Sequence, residues 1–492
     1  MRANLTATLV SFLLAASFAP AQSAVPPQYF GMHLIRSQPW PTLPFGSLRL
    51  WDTDTRWQQM NSASGTYDFS NLDAYLTLAK AHGASDIVLV LSATPEWISS
   101  DPGNGACDYA STAAGSCAPP SDLNGDGTGP NQAWRSFIYR LATHVSGLNA
   151  SIYSEPTTYE MWNEFSRRTE SWAGTDAQMT RMSQDAYCII KGSGTITATG
   201  ESCTAHNMNV AAVGIVPSAT IGSPSAQASA PDVNTLGAYL ASPGASSAAD
   251  IIATHDYTYG SSCCAFAEAV IGHWTALRTV LPAEAAGFPV WSTEGSWGDT
   301  ATKEPDPYLQ SAYVARIYLL GWALGYKRVY WYAWGNSWGR LWSQSGVNGC
   351  NDGGSGAGCT SQAALAYAET YSWMVGNMMT RLCAAALTVY TCELTRPDGT
   401  KTLAVWDTSQ TCTSGVCTYS KYAVPTGYSA YLDLANVRHT VQGHTVRIGA
   451  KPILLLSGNT VIGSLRSVLH ALRRSIHATK NRQAILAKRG VR

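Results

Sequence analysis

Tyr159-Glu160-Met161-Trp162-Asn163-Glu164 and Val290-Trp291-Ser292-Thr293-Glu294-Gly295 are short apolar runs that each end in a glutamate, and the two glutamates lie 130 residues apart. Each run has the length and composition of a buried strand. Around them the chain alternates. Strand-like stretches fall at 29–34, 47–51, 86–91, 158–162, 209–216, 251–255, 289–293 and 328–333. Amphipathic stretches that predict helices fall at 72–82, 132–145, 176–190, 233–240, 265–280, 308–324 and 361–378. Eight such strands with intervening helices predict a (β/α)8 barrel over residues 25–380. Spread over eight units, that length gives roughly 43 residues per unit. A separation of 130 residues is then three units, which puts the glutamates after the fourth and seventh strands. Chemistry in such barrels gathers at the C-terminal ends of the strands, where both glutamates fall.

After about residue 380 the period shortens. Short alternating runs at 387–394, 402–407, 417–423, 428–433, 440–448 and 452–456, split by turns such as Pro397-Asp398-Gly399, predict an antiparallel β-sandwich domain over 381–463. Residues 464–492 carry eight Lys/Arg and no acid, leaving 24 basic against 32 acidic residues in the rest of the chain. In that tail Leu465, Val468, Leu469, Leu472 and Ile476 recur at helical spacing. It reads as a solvated end or, alternatively, as an amphipathic helix touching an anionic polymer or membrane surface.

At the other end, Arg2, an apolar stretch over 5–18 and Ala19-Pro20-Ala21 read as a secretory signal peptide over residues 1–24. No later stretch predicts a transmembrane segment, because Arg316, Lys327 and Arg328 interrupt the apolar region 313–334. Only 13% of residues are charged, while Gly, Tyr and Trp are plentiful. That is the composition of a secreted, neutral-surfaced protein and not of a nucleic-acid binder. The 12 cysteines fall into close pairs at 107/117, 188/203, 263/264, 350/359, 383/392 and 412/417. After a signal peptide, neighbour-to-neighbour disulfides are the simplest reading, and no pairs have zinc-finger spacing. The segment Asp122-Leu123-Asn124-Gly125-Asp126-Gly127 starts like a calcium loop, but its twelfth position is Ala133 and not the bidentate glutamate such a loop needs. The expectation is therefore a polar loop and no metal.

Two carboxylates presented from two strand ends can cleave a glycosidic bond, one protonating the leaving oxygen and the other attacking the anomeric carbon or activating water. With these segments the chain resembles the retaining (β/α)8 glycosidases of glycoside hydrolase clan A, and family 39 most. The matching residues are Trp162-Asn163-Glu164 and Thr293-Glu294, supported by Ser92-Ala93-Thr94-Pro95-Glu96-Trp97 and His255-Asp256-Tyr257. The resemblance implies Glu164 as general acid/base, Glu294 as nucleophile and Asn163 on the sugar 2-hydroxyl. It implies a carbohydrate substrate and no cofactor. Arg49, an isolated charge in the apolar run Leu48–Trp51, is a candidate cation beside the nucleophile. Tyr257 is a candidate donor to Glu294, and His255 a candidate to orient a carboxylate or bind a hydroxyl. Trp331 and Trp334 are candidate sugar platforms, with Trp97 and His33 as further binding candidates. Glu96 and Asp52 are secondary carboxylates. The competing expectation is a carbohydrate-binding or cell-envelope protein that keeps the barrel without catalysis. It needs the tryptophans but not both glutamates.

Overall fold

The computed structural model describes residues 23–36, 39–107, 112–196, 198–203, 212–258, 266–298, 304, 306–335, 341–343, 359–413 and 416–458. The signal-like residues 1–22, the basic tail, the cysteine pair 263/264 and Cys350, the expected partner of Cys359, lie outside the described residues.

Eight parallel strands form the barrel: β1 Phe30–His33, β2 Ser47–Leu50, β3 Asp86–Val90, β4 Thr158–Glu160, β5, β6 Ile252–His255, β7 Val290–Glu294 and β8 Arg328–Trp331. Strand β5 runs as two pieces, Thr220–Gly222 and Ala226–Gln227. Its first piece pairs with β4 and its second with β6, so this interrupted strand closes the ring that β1 and β8 close on the other side. All these ladders are parallel, and the strands are buried along most of their length, as helix-covered strands must be. Small and large residues fit together inside. A Cβ on Gly31 would lie 2.4 Å from the ring of Tyr330, so only glycine at that position lets the tyrosine cross the barrel.

Among the described residues seven helices longer than a single turn cover the barrel: α1 Ser70–Ala81, α2 Gln132–Ser146, α3 Asp176–Lys191, α4 Ala230–Leu240, α5 Ala269–Val280, α6 Pro307–Leu324 and α7 Gln362–Met374. The connection from β1 to β2 has no helix among its described residues. Capping follows sequence. Thr175 and Gln178 form a capping box at α3, and Asp306 caps α6 with Pro307 at its first position. No described helix is long and apolar enough to cross a membrane.

Three expectations change. The described part of 209–216 is not a strand. Its apolar residues cover the end of α3, where the N–H groups of Gly214, Ile215 and Val216 donate to the carbonyls of Cys188, Ile189 and Ile190. A helix end needs such donors, and an apolar segment that supplies them looks like a strand in sequence. Helix α7 stops at Met374, followed by Gly376 at φ 80°, and a strand starts at Met378. The run expected over 440–448 is two strands and not one.

The C-terminal region forms β9 Met378–Ala386, β10 Val389–Thr395, β11 Lys401–Asp407, β12 Ser420–Ala423, β13 Tyr428–Leu432, β14 Arg438–Thr440, β15 Thr445–Ile448 and β16 Ile453–Ser457. Six make one antiparallel sheet in the order β9-β10-β11-β16-β13-β14, and β12 pairs with β15 separately. Strand β11 shows why this is a sandwich. Ala404 and Trp406 join the core shared with the barrel helices, while Leu403 and Val405 pack with Val446 and Ile448 of β15. The Trp406 indole donates to Glu268 at 3.0 Å, and Arg316 of α6 holds the same carboxylate. Disulfides join Cys107–Cys117, Cys188–Cys203, Cys383–Cys392 and Cys412–Cys417.

Candidate active site

Side chains on a strand alternate between faces, so β2 buries Leu48 and Leu50 against the helices and turns Arg49 into the barrel. There the guanidinium is fully enclosed. Its Nε and Nη2 donate to the two oxygens of Glu160 on β4 at 2.8 and 2.5 Å, Nη1 donates to Glu294 at 2.5 Å, and Nη2 also reaches Asn163 Oδ1 at 2.9 Å. A buried cation is tolerated when carboxylates pair with it in this fork geometry. Arg49 therefore ties β2, β4 and β7 together beneath the barrel mouth.

Glu294 closes β7, where a register irregularity against β6 sets it beside His255. One carboxylate oxygen takes the Arg49 contact, and the other accepts from the Tyr257 hydroxyl at 2.8 Å. Burial, with Glu164 and Asp52 adding to it, pushes the Glu294 carboxyl above the ordinary carboxylate value, while His255 and Arg49 pull it down. Burial and Glu294 itself hold the Tyr257 hydroxyl well above the usual phenol value, so it stays a donor.

Glu164 lies just beyond β4 with φ at 46°, a left-handed backbone that a non-glycine residue adopts only when its surroundings impose it. Ser225, in the break of β5, imposes it. The Ser225 N–H and hydroxyl both donate to Trp162 O, the hydroxyl oxygen accepts Glu164 N–H at 3.0 Å, and Ser225 O accepts Phe165 N–H at 2.9 Å. The Glu164 carboxylate meets His255 Nδ1 at 2.8 Å and Gln227 Nε2, from the second piece of β5, at 3.1 Å.

His255 Nδ1 lies 3.4 Å from Glu294 as well, so one ring nitrogen bridges the two carboxylates. An oxygen of Glu164, an oxygen of Glu294 and a nitrogen of His255 all lie within 4.8 Å of one another. Burial opposes charging the ring, but Glu294 and Glu164 outweigh it and raise the His255 pKa above the ordinary imidazole value. The segment holding His255 and Tyr257 is anchored between them by Asp256, which points the other way and accepts from Tyr326 at 2.9 Å and Thr254 at 2.8 Å. This is the one group of three His, Cys, Asp or Glu side chains among the described residues close enough to share a cation. Arg49 already occupies the Glu294 side of it, so its donors are engaged in ion pairs and hydrogen bonds.

The other sequence candidates divide. His33, at the end of β1, donates from Nε2 to Thr293 O at 2.8 Å, and burial and Arg49 keep the ring neutral. It packs against Tyr332 at 5.0 Å. Trp331 lies on the outer face of β8, with its ring 4.9 Å from Trp297. Trp334 is buried where the chain leaves β8, its main-chain N–H donating to His33 O. Trp97 ties the loop after β3 to Asn61 O at 2.9 Å and lines none of the contacts of the two glutamates. Of the secondary carboxylates, Asp52 faces the mouth, accepting from Tyr332 at 2.7 Å and Arg56 at 3.0 Å, and Glu96 lies further out on an exposed turn. Asp122 caps the start of α2 through the N–H of Gln132, and Asp126 closes its own turn on Thr128.

Sequence reasoning missed Glu160, Ser225, Gln227 and Tyr332. Parity exposes two of them. Tyr330 packs inside the barrel with Val88, Ile251, Ala253 and Trp291, so Tyr332, two residues on, continues toward the mouth and Trp331 cannot. Likewise Glu160, two residues after Thr158, had to face inward, where a buried Arg49 required an anion.

No protein-family model and no curated protein matches the chain. Solved structures do. A family 39 glycoside hydrolase from the gut symbiont Bacteroides cellulosilyticus WH2 superposes with a TM-score of 0.56 at 15% identity, over 88% of this chain and 82% of that one. A glucosidase from Croceicoccus marinus gives 0.55 at 12% identity, over 90% and 98%. A conserved exported protein from Bacteroides fragilis gives 0.53 at 11%, over 87% and 91%. At such identities the likeness is one of fold. The chain shares its fold with these structures over most of its length.

Proposed function

We propose that the protein is a glycoside hydrolase that cleaves O-glycosidic bonds of an oligo- or polysaccharide with retention of anomeric configuration. The observation that carries this is the approach of Glu164 and Glu294, whose nearest carboxylate oxygens lie within 4.8 Å across the mouth. Carboxyl groups about 5–5.5 Å apart suit direct attack, whereas about 6.5–9.5 Å leaves room for an intervening water. Two of the similarly folded structures are themselves a glycoside hydrolase and a glucosidase.

In the first step a Glu294 oxygen forms a bond to the anomeric carbon. The bond to the leaving oxygen breaks, and that oxygen takes its electron pair and the proton of Glu164. In the second step the Glu164 carboxylate takes a proton from water, the resulting oxygen attacks the same carbon, and Glu294 leaves as a carboxylate. Arg49 and Tyr257 hold Glu294 ionised and aimed. His255 shares a proton with Glu164 across their 2.8 Å contact, the proton the acid must deliver. With its Oδ1 on Arg49, Asn163 keeps its amide N–H groups for a sugar hydroxyl. Tyr332 supplies the aromatic face at β8. Both steps use side chains alone, without a cofactor.

In this proposal the enzyme works in an oxidising, extracytoplasmic compartment, a reading that the disulfides and the signal-like N-terminal sequence support. The domain division of the sequence reading carries over with it: a catalytic barrel over 25–380, a β-sandwich over 381–463 and a basic tail over 464–492. The test is a panel of aryl glycosides followed by proton NMR of the first-formed product. Retained configuration is expected. An inverted product, or a folded protein that binds glycans and hydrolyses none, would overturn the proposal.

A further inference from the structure

The loops after β1, β2 and β3 enclose a second recess, separate from the contacts of the two glutamates. It is an open groove of about 480 Å³, within the range of about 300–1,000 Å³ usual for small-molecule sites. Its lining is mostly polar, with Arg36 from the first loop, Asp54, Gln58 and Gln59 from the second, and Glu96 and Thr112 beside Pro95 and Ala113 from the third. Arg36 and Asp54 form an ion pair at 2.7 Å.

The groove is built and not a chance gap. Trp57 N–H and Gln58 N–H donate to Ser92 O and Ala93 O at 3.0 Å each, which stitches the second loop to the third. Gln58 Oε1 accepts Ala113 N–H at 3.3 Å, and the Trp97 indole ties the third loop back to Asn61. A main-chain contact links its wall to a residue of the catalytic mouth. The Arg36 N–H donates to Asp52 O at 2.9 Å, while the Asp52 carboxylate faces the mouth through Tyr332. Asp52 and Asp54, two residues apart on one loop, therefore look into the mouth and into the groove.

The lining selects a ligand class. Amides, hydroxyls and a planar ion pair offer many hydrogen-bond donors and acceptors, as a polyhydroxylated ligand needs. Asp54 and Glu96 repel phosphate, sulfate and uronate groups, and little apolar surface is present to hold an acyl chain or a free aromatic ring. We infer that this groove binds a further, uncharged sugar residue of the same substrate chain, so that the protein acts on oligo- or polysaccharides through more than one bound sugar. This rests on the hydrolase reading, and it adds what that reading leaves open, the recognition of chain length and charge.

The test separates the two. Glu294→Gln protein, in which hydrolysis is stopped, is titrated calorimetrically with neutral xylo-, cello- and manno-oligosaccharides of one to five residues and with oligogalacturonides. For at least one neutral series, affinity should rise about tenfold when the chain grows long enough to reach the groove, the yield of one or two net hydrogen bonds. Arg36→Ala and, separately, Gln58→Ala should erase that rise and leave wild-type-background turnover of an aryl monoglycoside unchanged. Oligogalacturonides should show no rise. The inference is overturned if no neutral series gains with length, if the gain survives both substitutions, or if the charged series gains as much. Length-dependent binding without turnover of any aryl glycoside would overturn the hydrolase reading and leave the groove standing.

Discussion

The Ser225 hydroxyl accepts the main-chain N–H of Glu164 at 3.0 Å, and this contact joins the break in β5 to the left-handed backbone of the proposed acid. The same hydroxyl donates to Trp162 O at 3.2 Å, so both of its hydrogen-bonding capacities are spent on one loop. Ser225→Ala would leave a buried N–H without its acceptor and free a conformation that the backbone does not favour by itself. A displacement of about 1 Å in a catalytic group can cost about a hundredfold in rate. We expect kcat to fall by about ten- to a hundredfold on nitrophenyl glycosides. The loss should shrink on dinitrophenyl glycosides, whose leaving groups need no acid. An equal loss on both would show that Ser225 acts on something other than Glu164.

Glu160 presents both oxygens to Arg49, and neither group is exposed. Removing one member of a buried pair leaves an uncompensated charge, at a cost of about 3–5 kcal/mol. Glu160→Ala should therefore lower the thermal midpoint clearly and reduce kcat as Arg49 shifts. A midpoint within experimental error of the wild type would show that water replaces the carboxylate without penalty.

The pH profile follows from two raised pKa values. Glu294 must be ionised to attack, and its pKa lies above the ordinary carboxylate value, so the acid limb of kcat/KM should lie above about 4.3. The proton shared by Glu164 and His255 must be present, and the His255 pKa is raised, so the alkaline limb should lie above about 6.5. Tyr257→Phe removes a donor to the ionised form of Glu294, so the acid limb should move to higher pH. A profile unchanged in Tyr257→Phe would contradict the role given to this hydroxyl.

Glu369 on α7 is 1% exposed, and burial lifts its carboxyl to about 7, opposed by the Trp373 indole that donates to it at 2.7 Å and helped by Asp433. A carboxyl raised in the fold is bound more tightly by its proton there than in the unfolded chain. Its contribution to stability is therefore full below the unfolded value of about 4.3 and is lost as pH rises through 7, a swing on the order of 3 kcal/mol. Glu369→Gln should unfold at a higher temperature than the wild type at pH 8 and show no such gain at pH 4.5. The same difference at both pH values would mean that Glu369 does not titrate in this range.

Much of this architecture is legible in the sequence. The barrel strands are apolar runs between amphipathic stretches, and the spacing of Glu164 and Glu294 counts three units correctly. Strand β5 is not legible, because Thr220–Gly222 is too short to signal and Pro224 interrupts it, while the apolar run near 213–216 imitates a strand as it seals α3. Strand β9 is hidden for a different reason. Nearly all its residues are exposed, so Met378–Ala386 shows no alternation to read. At the site, residues next to a recognisable motif are visible, as with Asn163 and Tyr257, and so is Arg49, a lone charge in an apolar run. Those that act from elsewhere in the ring, Ser225 and Gln227, gain their meaning only when β5 folds beside Glu164. Tyr332 was hidden by its tryptophan neighbours, and strand parity alone separates it from Trp331.

The most direct measurement is covalent trapping. The aryl glycoside that the protein turns over fastest is replaced by its 2-deoxy-2-fluoro counterpart with a dinitrophenyl leaving group, and the intact and protease-digested protein is weighed by mass spectrometry. Direct attack predicts one fluoroglycosyl adduct per chain, on the peptide containing Val290–Glu294, with the ester at Glu294 and none in Glu294→Gln. An adduct on Glu164 would reverse the two roles. Turnover of the parent glycoside with no adduct under any condition would contradict nucleophilic attack by Glu294.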